Sequence, residues 1–201
     1  MIRNHQRHDK SQQLLELLNA KLGSQMVSST VELGDAVIVI GREKMLDFFR
    51  LLKLDSELAF NMLIDLTVVD WMDQREDRFE VVYHFLSLST QHRLRIKIAV
   101  TEDDPAVESI TSLWSGANYF EREAWDMYGV TFKGHPDLRR ILMYDEFKGH
   151  PLRKDYPVQA KQPRVPLRHP EVENTARQMK RSPLVTIGGQ KKEPSANHQK
   201  P

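Results

Sequence analysis

Two Gly-His-Pro tripeptides, centred on His135 and His150, lie fifteen residues apart, and each is followed by a basic pair, Arg139–Arg140 and Arg153–Lys154. Acids stand among them at Glu121, Glu123, Asp126, Asp137, Asp145, Glu146 and Asp155. Three kinds of chemistry could use such residues. Two imidazoles with Asp137 or Asp145 could hold zinc. Two carboxyl groups could act as general acid and base. The basic pairs could grip phosphates.

Each has a plainer reading. The two histidines lack the i,i+4 spacing of a helical zinc motif, and Gly-His-Pro is a tight-turn sequence, because proline holds the preceding residue extended. Nothing in the sequence forces two of the acids together, and each has Arg or Lys nearby, so solvated or interfacial ion pairs are the expectation. Interleaved acids break up any positive field along the basic pairs, and Arg93, Arg95 and Lys97 read as one wet strand face, so no nucleic acid is expected as a partner. No phosphate-cradling glycine loop, nucleophile elbow or dinucleotide fingerprint occurs. Nine of the sixteen aromatic residues fall between Trp114 and Tyr156. Mixed with arginines, that is the composition of a protein interface.

The elements that must carry this segment follow from periodicity. A helix is expected from Ser11, with Leu14, Leu15, Leu17, Leu18 and Leu22 as its apolar stripe and Gly23 as its stop. Val31–Leu33 and Ala36–Ile40 read as two short strands or one bent strand. Met45, Leu46, Phe49 and Leu52 mark a second helix within Arg42–Leu52. Leu63–Met72, Phe79–Ser89 and Arg93–Val100 are successive strands with short polar turns, an antiparallel meander with one wet face. A helix is expected from Pro105 through Leu113, and another from about Ser115 to Gly129. On that last helix Phe120 and Tyr128 face the core, while Asn118, Arg122 and Asp126 lie opposite. The fold class is α+β, a mostly antiparallel sheet with flanking helices and an extended C-terminal tail. The expected organisation is a flexible N-terminus (1–11), an α+β domain (12–129), an ordered interaction segment (130–160), and an extended basic tail (161–201), partly disordered.

The 201 residues include no cysteine, which excludes disulfides and cysteine ligation of iron-sulfur clusters or zinc by these residues. The N-terminal ten residues have no apolar run, so no secretory signal is expected, and no stretch approaches the roughly 20 apolar residues of a membrane span. Residues 161–201 hold nine Lys or Arg against three Glu, giving a basic tail on an acidic body.

Glu121–Arg122–Glu123, Asp126–Met127–Tyr128–Gly129, Phe132 through Leu142 and Gly149 through Pro157 together resemble the signature of the 30-kDa subunit family of respiratory complex I, the C-type subunits of bacterial NADH-quinone oxidoreductase. The resemblance implies a peripheral-arm subunit with no cofactor or catalytic residue of its own. It would pack beside the 49-kDa-like subunit, near the 20-kDa-like subunit and the ferredoxin-like subunit, as one member of a hetero-oligomer. FMN, iron-sulfur clusters and quinone would belong to the partners. It also implies a peripheral position on the cytoplasmic face of the membrane. Glu121, Arg122, Glu123, Asp126, His135, Asp137, Arg139, Arg140, His150, Arg153, Lys154 and Asp155 are the expected interface residues. Arg139, Arg140, Arg153 and Lys154 would make inter-subunit contacts, and His135 and His150 would fix turns. The same family includes related quinone oxidoreductases and membrane-bound hydrogenases that lack an NADH module.

Overall fold

In the computed structural model, which describes residues 2–165, alternating and helical hydrophobic patterns resolve into a five-stranded sheet and a two-stranded one, with three α-helices among the described residues. The first helix, α1, spans Ile2–Leu22, starting nine residues before Ser11. No proline or glycine interrupts 2–22, so propagation adds one hydrogen bond per residue. The Ser11 hydroxyl, within the helix, donates to the Gly34 carbonyl across the fold. The expected flexible stretch 1–11 is therefore helical over its described residues.

β1 (Met26–Glu32) and β2 (Asp35–Ile40) form a hairpin turned at Leu33–Gly34, both with positive φ. After α2 (Met45–Leu54) come β3 (Met62–Asp70), β4 (Phe79–Leu86) and β5 (Arg93–Val100). These last three are the expected antiparallel meander. The full order is β1-β2-β5-β4-β3, with β2 and β5 parallel. Leu14 and Leu18 of α1, Phe48 and Phe49 of α2, Tyr83 and Phe85 of β4, and Ile96 of β5 belong to one buried core. Phe49 is its aromatic hub, with Tyr83 and Phe85 centroids at 5.1 and 5.5 Å.

The helix expected from Pro105 is absent among the described residues. Ala106–Glu108 is instead β6, paired in parallel with β7 (Thr131–Lys133). The Pro105 carbonyl accepts the Thr131 N–H, and the Ser109 N–H reaches the Lys133 carbonyl. Val107 and Ile110 are buried as an amphipathic helix would bury them, so apolar spacing alone does not separate the two conformations. Between β6 and β7 lies α3 (Ala117–Tyr128), which packs along β3. Thus the edge strand of the sheet carries the helix from which the signature segment departs. The tail beyond residue 165, including most of 161–201, lies outside the described residues.

Candidate functional site

The last turn of α3 leaves four carbonyls without helical partners, as any helix end does. Gly129 N–H closes the first, bonding Trp125 O, and the following segment takes up the other three. Leu152 N–H bonds Met127 O at 3.1 Å. The His150 ring donates from Nδ1 to Asp126 O at 3.0 Å, and Arg153 Nε donates to Tyr128 O. A cation at this end also suits the negative pole of the helix. Gly129 has φ 77°, and a Cβ there would lie 2.5 Å from the Arg153 guanidinium and 2.6 Å from the His150 ring. The second Gly-His-Pro motif is therefore the cap of α3, and glycine is required for both backbone and space. Burial, with Arg153 and Arg140 nearby, holds the His150 ring below the usual histidine range.

In the same turn, Asp126 also binds the segment through its side chain. Oδ2 accepts the N–H groups of Ile141, Leu142 and Met143 at 3.1, 2.9 and 2.9 Å, and Oδ1 accepts Arg140 at 2.5 Å. Burial alone would raise this carboxyl, but the Met143 and Leu142 N–H groups, then Arg140 and Ile141, outweigh it and hold it below the ordinary aspartate value. Arg140 further donates to the Phe147 and Gly149 carbonyls. Arg122 supports the same stretch, donating to the carbonyls of Arg139 and Arg140 at 3.1 Å each.

His135 makes the corresponding junction for the first motif. Its Nδ1 accepts the Asp137 N–H at 3.0 Å, which leaves Nε2 to donate to Asn118 O at 3.2 Å. The His135 ring thus closes its own turn, whereas the His150 ring reaches the end of α3. Among the described residues no group of three or more His, Asp or Glu side chains converges as a metal site would need.

A third junction ties the segment to the β3–β4 hairpin. Arg78 grips Asp70 with two bonds of 3.0 Å and also reaches Asp155 at 2.8 Å. Asp70 Oδ2 accepts the Lys154 N–H at 2.8 Å. The bonds from Asp70 and Asp155 raise the Arg78 guanidinium still further, and the bond from Arg78 holds Asp155 below the usual carboxylate range. By pattern alone Asp70 is an interruption of its strand. Its place at the end of the strand, in register with the core residue Phe79, is the signal that could have marked it as one half of a buried pair.

These contacts correct part of the sequence expectation. Glu121 and Asp126 are 0% exposed in this chain alone, so neither is a surface ion pair or can touch a partner directly. Asp126 sits on the polar side of α3, and residues 140–143 cover it. Glu121 accepts the Ile110 N–H at 2.8 Å through Oε1. Its Oε2, like the Tyr83 hydroxyl, has no hydrogen-bond partner among the described residues. Burial pushes the Glu121 carboxyl up to about 7, against the opposing bonds from Ser109 and Ile110. Arg140 and Arg153 are engaged internally, whereas Glu123, Asp137, Arg139 and Lys154 are exposed.

Residues 38–162 match the family model of the respiratory-chain NADH dehydrogenase 30-kDa subunit. This chain belongs to that family. Among its relatives is the C subunit of the NADH-quinone oxidoreductase of Roseiflexus sp. strain RS-1, 46% identical over 149 residues, covering 74% of this chain and 85% of the relative. A solved structure of the trypsin-resistant fragment (1-134) of Nqo5 is similar at TM-score 0.56 and 32% identity, covering 64% of this chain and 99% of that one. A chain of the archaeal membrane-bound sulfane sulfur reductase complex shares the fold at TM-score 0.64 and 19% identity, over 93% of this chain and 99% of its own. In 30-kDa-subunit terms, the signature spans the α3 cap, the Asp126 cup and the Arg78 junction. Four of its charged residues, Arg122, Asp126, Arg140 and Arg153, fasten the segment to that helix.

Proposed function

We propose that this chain is a non-redox structural subunit in the peripheral arm of a proton-translocating NADH:quinone oxidoreductase. It scaffolds the 49-kDa-like, 20-kDa-like and ferredoxin-like subunits near the quinone site, on the cytoplasmic face of the membrane. FMN, the iron-sulfur clusters and quinone reside in those and other partners. Family membership and one structural observation support this reading. The signature segment is fastened to its own domain by buried contacts, yet Tyr119, Leu142 and Leu152 on and around it stand 65%, 57% and 50% exposed. Fixed backbone with unpaired apolar side chains is the form of a docking face. No helix of the described residues is long and apolar enough to cross a membrane, which fits a peripheral place in the assembly.

The test is purification of the affinity-tagged chain from detergent-solubilised membranes of its own organism. The expected result is stoichiometric recovery with the 49-kDa-like, 20-kDa-like and ferredoxin-like subunits, with flavin, cluster absorbance and NADH:quinone turnover in the complex. Recovery of the chain alone, or NADH oxidation by the isolated chain, overturns the proposal. A recovered complex lacking flavin and NADH turnover would move the chain to the related oxidoreductases or hydrogenases without an NADH module.

A further inference from the structure

A cleft of about 260 Å³ opens where the end of β3 meets the cap of α3. Its walls mix Val68, Trp71, Tyr128 and Leu152 with the polar Gln74, and Lys154 stands at its edge. It is smaller than the roughly 300–1,000 Å³ of a typical small-molecule site. Only two charged side chains line it, Asp70 and Lys154. Asp70 is fully engaged, accepting two bonds from Arg78 and the N–H groups of Met72 and Lys154. The Lys154 ammonium has no carboxylate within 4.0 Å among the described residues, although its main-chain N–H is held rigidly in place. On the wall, Trp71 Nε1–H is shielded and has no acceptor among the described residues.

These features favour a polypeptide occupant over a metabolite. The space suits one large side chain, the aromatic walls are of the kind that carry interface energy, and the remaining charge is a single cation on the lip. We propose that this cleft receives a carboxylate side chain from the adjoining subunit, and that it pairs there with Lys154. The inference rests on the docking reading above and narrows it. Of the two basic pairs, Arg139–Arg140 and Arg153–Lys154, Arg140 and Arg153 are consumed by the chain's own carbonyls and carboxylates. Lys154 remains free beside a recess.

Zero-length carbodiimide coupling in the intact purified complex tests the pairing, since it joins an amine to a carboxylate only in direct contact. The expected product links Lys154 to an Asp or Glu of another subunit of that complex, located by peptide mass spectrometry. It disappears in K154R, which keeps the charge but offers no reactive amine. K154E should lower recovery of that subunit roughly tenfold, because like charges then face one another. Leu152→Asp, at a half-exposed site, should do the same while the circular dichroism of the chain is unchanged. If Lys154 acetylates equally fast in the complex and in the free chain while the complex stays whole, the cleft proposal falls and the docking reading stands. Protection of Lys154 without a cross-link to any polypeptide also overturns it, in favour of a small anion. If the chain recovers no partner subunits at all, both fall together.

Discussion

Asp126 and Arg140 meet at 2.5 Å across fourteen residues of chain, and the carboxylate is wholly out of solvent. Removing one member of such a pair leaves the other uncompensated. Asp126→Ala is expected to cost about 3–5 kcal/mol and to free the 139–150 stretch. Limited trypsin digestion should then cut at Arg139 and Arg140 well before the sheet is attacked. Asp126→Asn, which keeps one acceptor, should fall between wild type and alanine. The wild-type contribution is complete above the ordinary aspartate value of about 3.9 and is lost as pH falls through the lower folded value. Acid titration of the protease-resistant fraction reads this directly. An alanine variant cut no faster than wild type would remove Asp126 from this role.

Gly129→Ala tests the helix cap. A Cβ would have to adopt φ 77° and displace the His150 ring and Arg153 together. A loss of more than about 1 kcal/mol in denaturant unfolding is expected, beyond the penalty for the backbone alone. Gly116, whose Cβ would meet nothing within 4 Å, is the matched control and should tolerate alanine.

Glu121 gives a pH dependence of opposite sign from Asp126. Its folded value, about 7, lies above the ordinary 4.5, so the folded state binds the proton more tightly. The stability it contributes is complete below pH 4.5, declines as pH rises through 7, and changes little beyond that. The span corresponds to about 3 kcal/mol at most. Glu121→Gln keeps an acceptor for the Ile110 N–H without the ionisation. It should flatten the fall in melting temperature between pH 5 and 8. A wild-type profile already flat in that range would show that Glu121 ionises freely.

Arg139 separates docking from folding. Its side chain is 71% exposed and its one ion pair, with Asp137 at 2.9 Å, is also exposed. Such pairs contribute at most about 1 kcal/mol, so Arg139→Ala should move the melting temperature by no more than about 4 °C. Under the proposed function it should nonetheless release the chain from its partners in a salt wash. Full retention at high salt would take Arg139 out of the interface.

Much of this molecule can be read from residue pattern. Strands β3, β4 and β5 announce themselves through apolar alternation and short polar turns, and α3 through its stripe and Gly129. The partners of Asp126 cannot be read, because a carboxylate on the polar side of a helix looks solvated until a later loop is known to cover it. Three-residue strands such as β6 are too short to show a period, so Val107 and Ile110 suggest a helix. The neighbour of β2 is also hidden. Nothing local to Ala36–Ile40 points to a strand that begins at Arg93.

That distant pairing has a consequence during synthesis. Ala36–Val39 align with Leu94–Lys97, so the first hairpin waits for its neighbour until nearly half the protein has been translated. At about 5–20 residues per second, the gap is roughly 3–12 s. For that interval the apolar flank of β2 stands open on the nascent chain, a surface that a ribosome-associated chaperone would have reason to shield.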